Sequence, residues 1–124
     1  MPEPKELVWL GSALEDIRMF PDEVRREVGF ALREAQNGKK HRGVKPLKSF
    51  RGASVIEIIE DFDSNAYRAV YTVRFPSAIY VLHCFQKKSK SGIATPQQDI
   101  NLIRQRMKRA ELEDLEWRNK RKGS

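Results

Sequence analysis

The chain has 124 residues, 40% hydrophobic and 33% charged, enough for one soluble domain with a modest core and too few for two cores. Twenty-four Lys and Arg against seventeen Asp and Glu give a net charge of +7, which makes nucleic acid the first partner class to consider. No apolar run reaches the roughly 20 residues of a membrane span. "MPEPKELVWL" lacks the pattern of a secretory leader, and Cys84 alone closes no internal disulfide, so a cytoplasmic protein is expected.

Leu7 to Leu10 is a short apolar run ended by Gly11 and predicts a first strand. Ser12 and Glu15 have the spacing of a capping box, opening a short helix whose apolar side is Leu14 and Ile17. Pro21 stands where a second helix starts, since its missing N–H is not needed in the first turn, and Asp22 and Glu23 favour that positive end. Val24, Val28, Ala31, Leu32 and Ala35 recur at helical spacing, and Gly38 reads as the C-terminal cap. Lys39 to Arg51, with six Lys and Arg and no acid, reads as a basic loop.

"SVIEIIEDF" and "YRAVYTVRF" then switch to β-branched and aromatic residues, with "DSNA" as the turn between them. Ala78 to Lys87 forms a third strand after "FPSA", and the short connections make the three an antiparallel meander. Thr95 and Pro96 read as the cap and first residue of a terminal helix carried by Ile100, Ile103, Met107 and Ala110, with Arg118 to Ser124 frayed. The expected order is β-α-α-β-β-β-α. That is an α+β domain: an antiparallel sheet, helices packed on one face, and the other face of the middle strands left for a partner.

Two distant histidines and one cysteine have no metal-ligand spacing, glycine-rich phosphate loops are absent, and no cofactor is expected. The cations are more informative. Arg68 opens the second meander strand, and Lys87 and Lys88 close the third. Antiparallel neighbours bring the start of one strand beside the end of the next, so these residues should meet at one edge of the sheet. With no acid between them, the group is unfavourable unless an anion sits there or each charge is solvated. In the first case Arg68 braces an RNA phosphate, while a lysine stabilises developing charge or acts as a base. In the second they are solvated strand-end charges. His83, between Leu82 and Cys84, reads as a packed or hydrogen-bonded histidine, and as an acid–base group only if its side faces the cations.

"YRAVYTVRF" followed by "IYVLHCFQKKSKSGIATPQQDINLIRQRMKRAE" resembles the phage-derived Gp49-like, HigB-like branch of the RelE/ParE toxin superfamily. "VKPLKSFRGASVIEIIEDFD" is similar to the strand before that family's Y-R pair, and "FQKKSKSGIATP" is the most specific part of the resemblance. The resemblance implies one RelE/HigB-like toxin domain over residues 1–124, with a basic C-terminal tail at about 112–124. It further implies the toxin of a type II toxin–antitoxin pair, a metal-independent endoribonuclease that cuts mRNA at the ribosome and inhibits translation. A HigA-like helix-turn-helix antitoxin would neutralise it, and operator DNA would be bound only through their complex. No membrane partner is implied.

The family arginine matches Arg68, and the family's basic group matches Lys87 and Lys88, with Lys90 a looser match. The catalytic candidates are therefore Arg68, Lys87, Lys88 and His83. The RNA-binding candidates are Lys45, Lys48, Arg51, Lys90 and Thr95. RelE places lysines on the strand before Y-R, where this chain has Glu57 and Glu60, so no general base carries over. The RelE tyrosine after the basic strand has no match, since Thr95 lacks a ring. Val70 and Thr72, on the face of Arg68, would form the apolar area that an antitoxin helix covers. ParE relatives share this architecture but bind gyrase without catalysis, and a non-toxic phage-derived binding protein is the third reading.

Overall fold

The computed structural model describes residues 3–52, 54–87 and 95–122. Strand β1 (Glu6–Trp9) leads into helices α1 (Ala13–Arg18) and α2 (Asp22–Gln36). Strands β2 (Val44–Pro46), β3 (Val55–Phe62), β4 (Asn65–Thr72) and β5 (Ala78–Lys87) follow, and then helix α3 (Gln97–Lys122). They form a five-stranded sheet in the order β1-β5-β4-β3-β2. The architecture is α+β, as expected, but the sheet is mixed: β2 to β5 are antiparallel, while β1 runs parallel to β5. The segment expected as a basic loop contains β2, whose Lys45 pairs with Glu57 and Pro46 with Ile56. A three-residue edge strand carries no readable period, and an edge tolerates the proline that lacks a ladder donor.

Local chemistry explains the turns and helix ends. Asp63 and Ser64 form a two-residue hairpin loop between the paired Phe62 and Asn65, both with positive φ, as the primed turns require. Helix α2 ends in a Schellman motif. Lys39 N–H donates to the Glu34 carbonyl at 2.8 Å and Gly38 N–H to that of Ala35 at 3.0 Å, with Gly38 at φ +76°. The expected capping box at α1 does not form. Ser12 makes no side-chain cap; its hydroxyl donates to the Asp16 carboxylate at 2.7 Å. The terminal helix does not fray at Arg118 either. Asp114, nearly fully buried, accepts from Arg118 Nε at 3.0 Å and from Ser77 Oγ at 3.2 Å, tying the late turns of α3 to the start of β5.

Both sheet faces are covered from within the chain. Val24, Val28 and Leu32 of α2 pack with Ile56, Ile58, Tyr71 and Val81 on one face. Ile100, Ile103, Met107 and Ala110 of α3 pack with Val55, Val70, Tyr80 and Leu82 on the other. The expectation of helices on one face is thereby corrected, along with the apolar area proposed for a partner: Val70 and Thr72 lie fully buried on the α3 face. Strands apolar on both sides must be sandwiched, and α3 is the layer that does it. Among the described residues, no helix is long and apolar enough to cross a membrane.

One irregularity decides which side chains reach α3. Val70 pairs with His83 and Tyr71 with Val81, so Leu82 is an extra residue in β5. Before this bulge Ile79 and Val81 face α2 while Tyr80 and Leu82 face α3. After it the parity reverses, Cys84 facing α2 and Phe85 packing on the α3 side.

Burial pushes the Tyr71 hydroxyl, the Tyr80 hydroxyl and the Cys84 thiol up to about 12. In the unfolded chain these groups lose protons near their ordinary values of 10.0 and 9.0. The unfolded state therefore holds fewer protons in this window, and stability falls as pH rises from about 9 towards 12. Urea midpoints measured across that range should fall steadily, and Tyr71→Phe should lessen the fall. A flat profile would contradict these burial assignments.

Candidate active site

The N-terminus of α3 lies over the far end of the two central strands, β4 and β5. Thr95, just before the helix, donates from Oγ1 to Glu57 Oε2 of β3 at 2.9 Å, and Asp99 in the first turn accepts from His83 Nε2 of β5 at 2.7 Å. Beneath this turn four titratable side chains are almost completely buried: Glu57 at 2% exposure, Arg68 at 4%, His83 at 6% and Lys87 at 8%. All four share the α3 face, because Glu57 and Arg68 follow the alternation of Val55 and Val70, and the bulge turns His83 and Lys87 to that side.

Arg68 pairs with Phe85 and Ala66 with Lys87 across the ladder, so Arg68 and Lys87 are diagonal neighbours, as the meander argument expects. They meet where β4 begins and β5 ends, with β3 on one side; β1 pairs with β5 at Ala78–Val81, well short of Lys87. Arg68 Nη1 donates to the Tyr67 carbonyl at 3.0 Å and lies 3.5 Å from the exposed Asp61 carboxylate. Its Nε has no hydrogen-bond partner among the described residues. A buried guanidinium N–H left this way is unfavourable by about 1–3 kcal/mol, which an incoming anion would recover.

Lys87 feels the same field. Burial and then the Arg68 guanidinium hold its ammonium below the ordinary lysine value of 10.5; Glu57 opposes them, Lys45 adds to the lowering, and Asp99 opposes it. Lys45 is exposed on β2 opposite Glu57, so it flanks the cluster from the sheet's edge. Three cations from three strands thus converge around one buried carboxylate.

His83 is held differently. Arg106 of α3 places Nη1 3.4 Å from His83 Nδ1, and a guanidinium can only donate. The partners therefore assign the proton to Nε2, which donates to Asp99, and both ring nitrogens are engaged. The ring also stacks on Phe85 at a centroid distance of 4.7 Å. These contacts suit a positioning role. The same Arg106 Nη1 donates to the carbonyl of the bulged Leu82 at 2.9 Å, and its Nη2 to Ser12 Oγ at 3.1 Å. Gly11, at φ +53°, leaves room for it, since a Cβ there would stand 2.7 Å from Arg106 Nε.

Of the sequence candidates, Arg68, Lys87, Lys45 and Thr95 come together around Glu57. His83 shares their face with both nitrogens occupied. Lys48 and Arg51 are exposed in the β2–β3 connection, Arg51 lining a separate pocket beside α3. Lys88 and Lys90 lie outside the described residues. The sequence argument missed Glu57, Asp99 and Arg106 as members of the site. A carboxylate inside the β-branched run "VIEII" was the readable signal for Glu57, because an acid buried in a strand needs a partner. Glu60 belongs elsewhere, its carboxyl pushed up by burial and by Glu27, with His41 opposing.

The fold and this cluster together define a small α+β protein with a buried cationic group under a helix N-terminus. The family model described as phage-derived protein Gp49-like (DUF891) matches residues 15–108, and the chain belongs to that family. The family is compatible with the toxin of a toxin–antitoxin pair. No curated protein matches the chain.

An anion seated on Arg68 and Lys87 stabilises the folded state by mass action, about 1.4 kcal/mol at ten times its dissociation constant. Inorganic phosphate should raise the thermal midpoint of the wild-type chain relative to chloride at equal ionic strength. Arg68→Ala should abolish the difference and Glu57→Gln, which removes the opposing charge, should enlarge it. An identical midpoint in phosphate and chloride would show that the cluster holds no phosphate.

Proposed function

We propose that this protein is the toxin of a type II toxin–antitoxin pair and an endoribonuclease that cuts mRNA at the ribosome. The observation that carries the reading is the meeting of Arg68, Lys87 and Glu57 on one buried face, with an Arg68 nitrogen lacking a partner among the described residues. Membership of the Gp49-like family supports it.

In the proposed reaction a scissile phosphate sits against Arg68, whose donors hold its non-bridging oxygens as negative charge gathers on them. Glu57, oriented by the Thr95 hydroxyl, retains acceptor positions and takes the 2′-hydroxyl proton. The 2′-oxygen bonds to phosphorus, the bond from phosphorus to the 5′-oxygen breaks, and Lys87 gives that oxygen a proton. The products are a 2′,3′-cyclic phosphate and a 5′-hydroxyl. An ammonium already below the ordinary lysine range is a better acid than a solvated one, which fits Lys87 to this step. His83 positions Asp99 and the first turn of α3. Side chains supply the charge and both proton transfers, so the proposed reaction is metal-independent. A helix-turn-helix antitoxin would block the cationic face, and operator binding would belong to that complex.

A gyrase-binding toxin without catalysis is the rival. What favours it is the exposure of Leu112 and Leu115 on α3, a helix surface suited to a protein contact. Primer extension on cellular mRNA after induction separates the two. The cleavage reading expects new 5′ ends, relief of growth arrest by Arg68→Ala with Lys87→Ala, and a loss of at least 100-fold in cleavage by Glu57→Gln. Cleavage should also decline as pH rises through the lowered Lys87 value, below 10.5. A fully toxic, folded double variant, or intact mRNA with DNA damage signals, would sink it.

A further inference from the structure

Beside α3, and separate from the cluster, lies a pocket of about 310 Å³ between the β2–β3 connection, the end of β4 and the helix. Its walls carry Arg51, Arg74, Arg104 and Lys108, against a single carboxylate, Glu111. That carboxylate is already committed to Arg74 at 2.6 Å, so the rest of the wall is cationic. Its floor is apolar, formed by Phe50, Val55 and Met107. The Arg104 guanidinium stands 5.0 Å from the centre of the half-buried Phe50 ring and is braced by donation to the Ser49 carbonyl at 3.2 Å. Arg104 and Lys108 are one helical turn apart and present their charges on one side.

A cationic pocket of this size with an apolar floor matches one chemical unit: a base to stack on the ring or the guanidinium, with a phosphate for the surrounding charges. Its place in the sheet fits the same ligand. Val55 in the pocket and Glu57 in the cluster lie on the same face of β3, two residues or about 7 Å apart. Exposed Lys45, opposite Glu57, and exposed Lys48 and Arg51 mark a cationic path from one to the other. A purely acidic protein segment would use the charges but leave the Phe50–Arg104 stack without purpose. We infer that this pocket binds a nucleotide of single-stranded RNA flanking the phosphate held at Arg68, the strand running along the side of α3. The inference rests on the RNA-cleaving reading and adds to it a second subsite, with a base-stacking residue and a direction for the strand.

The test is direct binding of a short single-stranded 2′-O-methyl RNA, which lacks the nucleophile, followed by fluorescence anisotropy over a range of salt. Phe50→Ala and Arg104→Ala should each weaken binding roughly fivefold or more, and Phe50→Tyr should restore it. Arg51→Ala with Lys108→Ala should reduce the salt slope by about 0.7 per cation removed. Circular dichroism identifies any misfolded variant, and Arg104→Gln, which alters only an exposed side chain, replaces one that fails. Wild-type affinity and salt slope in the folded variants would overturn the inference. So would retained RNA binding with loss of the antitoxin, which would make the pocket a protein seat, or no binding of RNA by the wild-type chain. Cleavage of unmodified RNA is scored separately. If the pocket variants weaken binding but the wild-type chain leaves RNA intact, the cleavage reading fails and the subsite stands; if RNA is cut and the variants bind normally, the subsite alone fails.

Discussion

The donation from Arg106 to the carbonyl of Leu82 holds the irregular point on which the candidate site turns. A bulged residue leaves its backbone groups out of the regular ladder, and a buried carbonyl there needs a donor from elsewhere. Arg106 supplies it from α3 through Nη1, which also stands against His83 Nδ1, while its Nη2 donates to Ser12. Every β5 residue after the bulge owes its orientation to that insertion. Were β5 to keep strict alternation through Leu82, His83, Phe85 and Lys87 would point at α2, into a core that Tyr67 and Ala69 already line.

The cluster is then a balance between burial and charge. Arg68 and Lys87 are placed where water is largely excluded, and Glu57 is the buried acid that makes this tolerable. Helix α3 contributes twice, through the apolar residues that seal the sheet and through the N-terminal turn that aims Asp99 at His83. The positive end of a long helix adds to the attraction for an anion. Packing and electrostatics are therefore properties of the same element, and a change that shifts α3 alters both.

Much of the fold could be read from the sequence, and the failures have physical causes. Ala78–Lys87 was legible as a strand because seven of its ten residues are β-branched, aromatic or otherwise apolar, and Gly38 because a helix needs a left-handed residue to end in this way. Strand β2 was hidden by its length and its lysine and proline. The second helix layer was missed because the spacing of Ile100, Ile103, Met107 and Ala110 marks an apolar stripe on α3 without saying which sheet face it covers. At the site, Arg68 and Lys87 followed from strand direction alone. Their common face did not, since "VLHCFQK" carries no mark of the extra residue in β5. Glu57 was visible as an acid, but its partner Thr95 lies 38 positions away, a distance that spacing arguments do not bridge.

The hydrogen bond between Arg106 and Ser12 joins positions 94 residues apart. Chains emerge from the ribosome N-terminus first, so the cations of β4 and β5 are made before the helix that clamps the bulge and before Thr95 can orient Glu57. A nascent chain can pair its strands early, yet the face bearing Arg68 stays uncovered until α3 arrives. For a protein proposed to act on messages at the ribosome, assembly is thus ordered so that the chemistry is completed only once α3 has been made.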